Sequence, residues 1–81
     1  MSIPGWLAWL KDRETRFDAI RYVAMSRVEA AEAHAQKRWS PGDSTFLDVV
    51  IEAPDGKRWL VEVEVQAVPE FCALREQEYS S

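Results

Sequence analysis

Residues 45–68 read TFLDVVIEAPDGKRWLVEVEVQAV, and their alternation decides the fold. Leu47, Val49, Ile51 and Ala53 fall on one side of an extended chain, with Phe46, Asp48, Val50 and Glu52 on the other. Trp59, Val61, Val63, Val65 and Ala67 repeat the pattern against Arg58, Leu60, Glu62, Glu64 and Gln66. Period-two alternation in β-branched and aromatic residues marks half-buried strands. Between the two runs, Pro54 presets φ for the first turn position, Asp55 tolerates the second, and Gly56 accepts a left-handed backbone.

Parity then selects the register. A two-residue Asp55-Gly56 loop would pair Ile51 with Leu60 and put the two apolar sets on opposite faces. A three-residue loop with a glycine bulge pairs Ile51 with Trp59 and Val49 with Val61, which leaves one core face. On the outer face this register sets Glu52 against Arg58, a favourable pair. It also sets Asp48 against Glu62 with Glu64 on the diagonal, and like charges directly opposite destabilise a sheet. A chain that tolerates such repulsion either uses it for binding or carries it as a solvated acidic face.

Charge is distributed unevenly around this hairpin. Residues 1–40 hold seven Lys/Arg and five Asp/Glu, whereas residues 41–81 hold three against nine. The halves are therefore +2 and −6, which sum to the net −4. An acidic C-terminal half argues against direct binding of a phosphate backbone, which needs clustered Lys and Arg. A basic protein surface is the complementary partner. Eighty-one residues make one small domain, with a core over about residues 6–74 and a generous supply of aromatic side chains. Cys72 is the one cysteine, which excludes an internal disulfide and fits a reducing cytoplasm. No run is long enough to span a membrane, and Met1 to Leu10 lacks the basic-then-apolar layout of a signal peptide.

The flanks complete the pattern. Trp6-Leu7-Ala8-Trp9-Leu10 is short and apolar, KDRETR at 11–16 is a charged connection, and FDAIRYVA at 17–24 alternates. Paired strands are the preferred reading. One amphipathic helix with Trp6, Leu10, Phe17, Ile20 and Ala24 along a stripe competes with it, and residues 6–16 are open between the two. Ser26-Arg27-Val28-Glu29 forms a capping box, helix formers follow through EAAEAHAQKRW, and Ser40-Pro41-Gly42 stops them. So many alanines let the helix lie close to a sheet, with Trp39 sealing its end. Pro69 interrupts the ladder, because it has no amide to donate. Phe71 to Leu74 either resume a short strand or cover the edge of the core, and residues 75–81 are expected to fray. The expected fold is α+β: a small antiparallel sheet of about four strands, ββαββ-like, with an Ala-rich helix on one face.

Little here promises catalysis. His34 sits mid-helix, where it reads as a surface residue, and nothing local links it to Cys72 or to a hydroxyl nucleophile. Asp48, Glu62 and Glu64 lie on an open sheet face rather than in a cleft that would drive their pKa values apart. No loop has metal-ligand spacing, and no glycine-rich phosphate loop is present. Neither a catalytic residue, a metal ligand nor a cofactor is assigned. Trp9, Arg13, Arg16, Arg21 and Tyr22 offer a minor stacking platform for single-stranded nucleic acid, with too little net charge to carry it. Protein binding remains. Phe46, Val50 and Leu60 as apolar anchors among Asp48, Glu52, Glu62 and Glu64 make a face of the kind found at transient or dimer interfaces.

The succession W-x-x-W-L at 6–10, AMSRVEAAEAHA at 24–35 and DVVIEAPDGKRWLVEVEVQAVPEF at 48–71 resembles small orphan proteins of phages, prophages and mobile elements. In size, acidity and lack of catalytic residues the chain is similar to the anti-CRISPR proteins. That resemblance implies an inhibitor that binds an RNA-guided effector complex in the host cell and covers its DNA-binding surface. Asp48, Glu52, Glu62 and Glu64 would then stand in for phosphates. The alternative it leaves open is a small homodimeric structural or accessory protein whose acidity serves solubility.

Overall fold

The structure is a computed structural model that describes residues 5–23, 26–67 and 70–79. Its elements are β1 (Gly5–Leu10), a 3-10 turn (Arg16–Asp18), β2 (Ile20–Val23), α1 (Arg27–Arg38), β3 (Phe46–Glu52), β4 (Arg58–Ala67) and β5 (Glu70–Glu78). The strands form one antiparallel sheet in the order β2-β1-β3-β4-β5, with α1 against one face.

The central hairpin adopts the register that parity requires. Ile51 lies opposite Trp59, Val49 opposite Val61, Glu52 opposite Arg58 and Asp48 opposite Glu62. The Ala53 amide closes the loop on the Lys57 carbonyl at 2.8 Å, and Gly56 takes φ 92°. Only a residue at ease in the left-handed region turns the chain there without strain.

One face of the sheet holds the core. Val49, Ile51, Val61 and Val63 are fully buried with Ala8, Leu10 and Leu47, beneath Ala30, Ala31 and Ala35 of α1. Each large aliphatic side chain buried in this way contributes roughly 1.5–3 kcal/mol of hydrophobic stabilisation. The Ser26 hydroxyl accepts from the Glu29 amide and starts the helix, as the capping sequence predicts. At its far end the Trp39 indole donates to the Ser44 carbonyl at 3.0 Å and meets Phe71 edge-on.

One open reading is settled as preferred, and two expectations change. Residues 6–10 are strand, pairing with both β2 and β3, and the helical stripe is not formed. The sheet has five strands rather than about four, because the chain pairs with β4 as far as Glu78 instead of fraying after Leu74. Phe71 and Ala73 pack on the core side, and a register shift opposite Glu62 and Val63 makes Leu74 the extra residue. Beyond it, Arg75 pairs with Glu62, and Arg27 of α1 forms an ion pair with Glu76. The side chains of Arg75 and Glu76 thus find partners on a sheet edge, where charged residues also discourage pairing with other chains. The second change concerns His34, which is fully buried rather than on the surface. Pro69 and residues 80–81 lie outside the described residues, so the interruption expected at Pro69 falls there.

A candidate protein-binding face

The face of the sheet away from α1 is built in cross-strand rows. Trp9, Val50, Leu60 and Gln77 form the central row. On one side of it lie Leu7, Glu52 and Arg58; on the other come Asp48, Glu62 and Arg75, then Phe46, Glu64 and Cys72. Alternation along each strand places all of these on the same side, which joins the seven residues singled out from sequence on one surface.

They are not equivalent. Val50 is fully buried and Trp9 is 6% exposed, with the Arg58 guanidinium 5.4 Å above the indole ring. Glu52 is buried too. It accepts from Arg16 Nε at 3.0 Å, Arg16 Nη2 at 2.8 Å and Arg58 Nε at 3.0 Å. The bonded Arg16 guanidinium holds the Glu52 carboxyl below the usual carboxylate range; burial opposes this and Arg58 reinforces it. Val50 and Glu52 therefore support the face instead of presenting anything to a partner.

The other end of the face stays acidic. Asp48 and Glu62 do stand opposite each other, but Arg75 Nη2 lies 3.5 Å from Glu62 Oε2 and relieves the repulsion from the β5 side. Glu64 receives a bond from Gln66 at 3.2 Å. Beside it Phe46 is 51% exposed, and Leu74 bulges from β5 at 48% exposure. Leu60 sits half-buried at the edge of a shallow depression of about 30 Å³ shared with Asp48, Glu62, Arg75 and Gln77. Phe46 and Asp48 also line a cleft of about 340 Å³ that runs between the β1–β2 connection and the Gly42–Ser44 loop. Comparison with protein-family models, curated proteins and solved structures returns no match for this chain. The face therefore has to be interpreted from its own chemistry. Among the described residues no group of His, Cys, Asp and Glu is arranged to hold a metal ion, and no helix is long and apolar enough to cross a membrane.

The residues considered for stacking nucleic acid lie in different environments, with Arg21 exposed. Trp9 is covered, Arg16 is committed to Glu52, and Arg13 pairs with Asp43 at 3.3 Å. Tyr22 belongs to a second constellation that sequence reading missed. Its hydroxyl lies 2.8 Å from His34 Nδ1, and His34 Nε2 lies 2.7 Å from Glu14 Oε1. Glu14 also accepts from the Leu10 amide at 2.8 Å, and Arg38 Nε approaches its second oxygen at 2.9 Å. That last contact is Coulombic, since the guanidinium N–H is not aligned for a hydrogen bond. One arrangement satisfies the chain: the phenol donates to Nδ1 and Nε2–H donates to an ionised Glu14. Burial pushes His34 below the ordinary imidazole value against the pull of Glu14, which keeps the ring neutral. Burial pushes Glu14 up, but its hydrogen bonds from His34 and Leu10 and the nearby Arg38 charge hold it low on balance. Residues separated by 12 and 20 positions make these bonds, a spacing that neither strand nor helix periodicity reveals.

Phe17 is the other surprise. It is 99% exposed on the 3-10 turn, which is held by the reciprocal Thr15–Asp18 capping box and by Arg16 on Glu52.

Proposed function

We propose that the chain is a non-enzymatic protein-binding module that docks Phe46, Asp48, Glu62 and Glu64 onto a basic protein surface. The observation that carries this reading is the half-exposed Phe46 among carboxylates on a sheet face opposite the helix. An apolar anchor with an acidic surround suits a partner whose Lys and Arg side chains surround an apolar patch. Leu60 adds area, while Glu52 and Val50 hold the face rigid. Surfaces that bind nucleic-acid phosphates are basic in this way, and an RNA-guided effector complex is the partner class to which the resemblance points. Occupying such a surface would exclude DNA by competition, with no chemistry required of this chain.

The test is an affinity pull-down of the tagged protein from bacterial lysate containing RNA-guided effector complexes, at low and high salt. A Phe46→Ala/Glu64→Lys variant runs beside it, with circular dichroism confirming that both proteins are folded. Retention of the effector complex at low salt, lost at high salt and in the variant, is the expected result, because exposed charges are screened. Equal retention by the variant would overturn the assignment of the face. A folded wild-type protein that retains no effector complex would overturn the partner class, and a tight dimer by light scattering would then favour the homodimeric accessory protein.

A further inference from the structure

We propose that the Tyr22–His34–Glu14 chain is an acid-sensitive latch, in which protonation of His34 releases β2 from α1 while β3, β4 and β5 remain paired. The inference is independent of what the outer face binds.

The geometry supplies the reason. His34 projects from α1 into a fully buried position. Tyr22 meets it from β2, Glu14 meets it from the β1–β2 connection, and Arg38 and Lys37 lie nearby on α1 itself. A neutral imidazole offers one donor and one acceptor, and this site uses both. Adding a proton at Nδ1 puts an N–H where the phenol now donates, so that donation is lost and the hydroxyl has to turn its hydrogen away and accept instead. It also places a cation in a buried site that already neighbours two others. Glu14 offsets part of that cost, but it keeps the same bond to Nε2 and gains no new one.

The strain falls on the weakest element in contact with the ring. β2 is four residues long, lies at the sheet edge and pairs only with β1. Its half-buried side chains are Ile20 and Tyr22, and Tyr22 is the one that touches the histidine. Arg21 and Val23 point to the exposed side. By contrast β3 and β4 are anchored by fully buried Val49, Ile51, Val61 and Val63. Local opening therefore costs less than global unfolding. Because burial lowers the proton affinity of His34, the open state binds the proton more readily. Opening is thus favoured as pH falls below the ordinary imidazole value of about 6.5 and is suppressed above it. Once β2 leaves, the Gly5–Ala8 backbone of β1 becomes an open sheet edge.

Amide hydrogen exchange followed by NMR between pH 7.5 and 4.5, with the His34 ring titrated in the same samples, tests the latch. The wild-type protein is expected to lose protection at Ile20–Val23 by tenfold or more as His34 titrates, with Val49–Ile51 and Val61–Val63 still protected. His34→Gln is the matched control, since a glutamine amide also offers one acceptor and a donor but does not titrate; its β2 should stay protected at pH 5. Simultaneous loss of protection in β2 and β3–β4 would overturn the proposal, as would unchanged β2 protection across the His34 titration. Should His34→Gln not fold, the wild-type comparison of ring titration with β2 exchange decides by itself.

Discussion

Replacing Tyr22 with phenylalanine removes one oxygen and leaves a ring that still packs against the core. What it takes away is the donor to His34 Nδ1, in a side chain with 0% exposure. A buried acceptor without a partner costs about 1–3 kcal/mol. Tyr22 is only partly buried, so water reaches the gap from its side, and the lower part of that range applies, about 1–2 kcal/mol. In a domain of this size each kcal/mol lowers the melting temperature by about 4–8 °C. The expected loss is therefore on the order of 4–16 °C at pH 7.5, measured by circular dichroism, with a matching fall in the urea midpoint. A second consequence separates this from a general loosening. The phenol bond favours the neutral imidazole, so without it His34 takes up its proton at higher pH. The acid limb of the stability curve should move toward neutrality, and the His34 ring titration should move with it. A melting temperature within about 1 °C of wild type and an unmoved titration would mean that the hydroxyl does not donate to Nδ1, and the tautomer assigned to His34 would be wrong.

Deleting residues 75–81 should cost about 2 kcal/mol or more in urea denaturation, because cross-strand pairs each contribute roughly 0.2–1 kcal/mol and the Arg27–Glu76 contact goes with them; no loss would return this segment to a frayed tail. Glu52→Gln should lower the urea midpoint at pH 7, and the difference from wild type should shrink as pH falls below about 4.3. The carboxyl is held low in the folded state, so its contribution is present above the unfolded value and disappears in acid. A gap that stays constant down to pH 3 would contradict that assignment. Gly56→Ala should destabilise by about 1–2 kcal/mol through backbone strain alone, since φ is 92° and nothing lies within 4 Å of an added Cβ; a neutral result in thermal melts would show that the loop relaxes to another turn.

These perturbations divide between what could be read along the chain and what could not. The central hairpin was legible because two local facts, turn chemistry and the parity of the apolar positions, admit one register with a single core face. The helix was legible because its cap and its stop are local as well. The second half of β5 was not, since Arg75 to Glu78 show no apolar alternation: an edge strand supported by Glu62 and Arg27 has no need of one. His34 was misread for a related reason. Mid-helix position and polarity point outward only if no partner waits inside, and Tyr22 and Glu14 come from an antiparallel pair and its connection that converge on α1.

The same asymmetry governs the acidic face. Read from the hairpin, it carried four carboxylates and one arginine, a surface dominated by repulsion. Arg16 then arrives from the β1–β2 connection to hold Glu52, and Arg75 arrives from β5 to face Glu62. Neither could be placed until the sheet order was known, because 36 residues separate Arg16 from Glu52. Charge near Phe46 is consequently lower and more localised than composition implies, centred on Asp48 and Glu64. In the proposed complex, partner discrimination rests on where the two arginines stop neutralising this face. Arg75→Ala should therefore extend the acidic patch and strengthen capture of a basic partner at low salt, whereas Arg16→Ala would free Glu52 beneath Arg58 and loosen the support under Trp9. Opposite responses to the loss of two arginines from one face are what local neutralisation requires; equal responses would mean that only net charge matters.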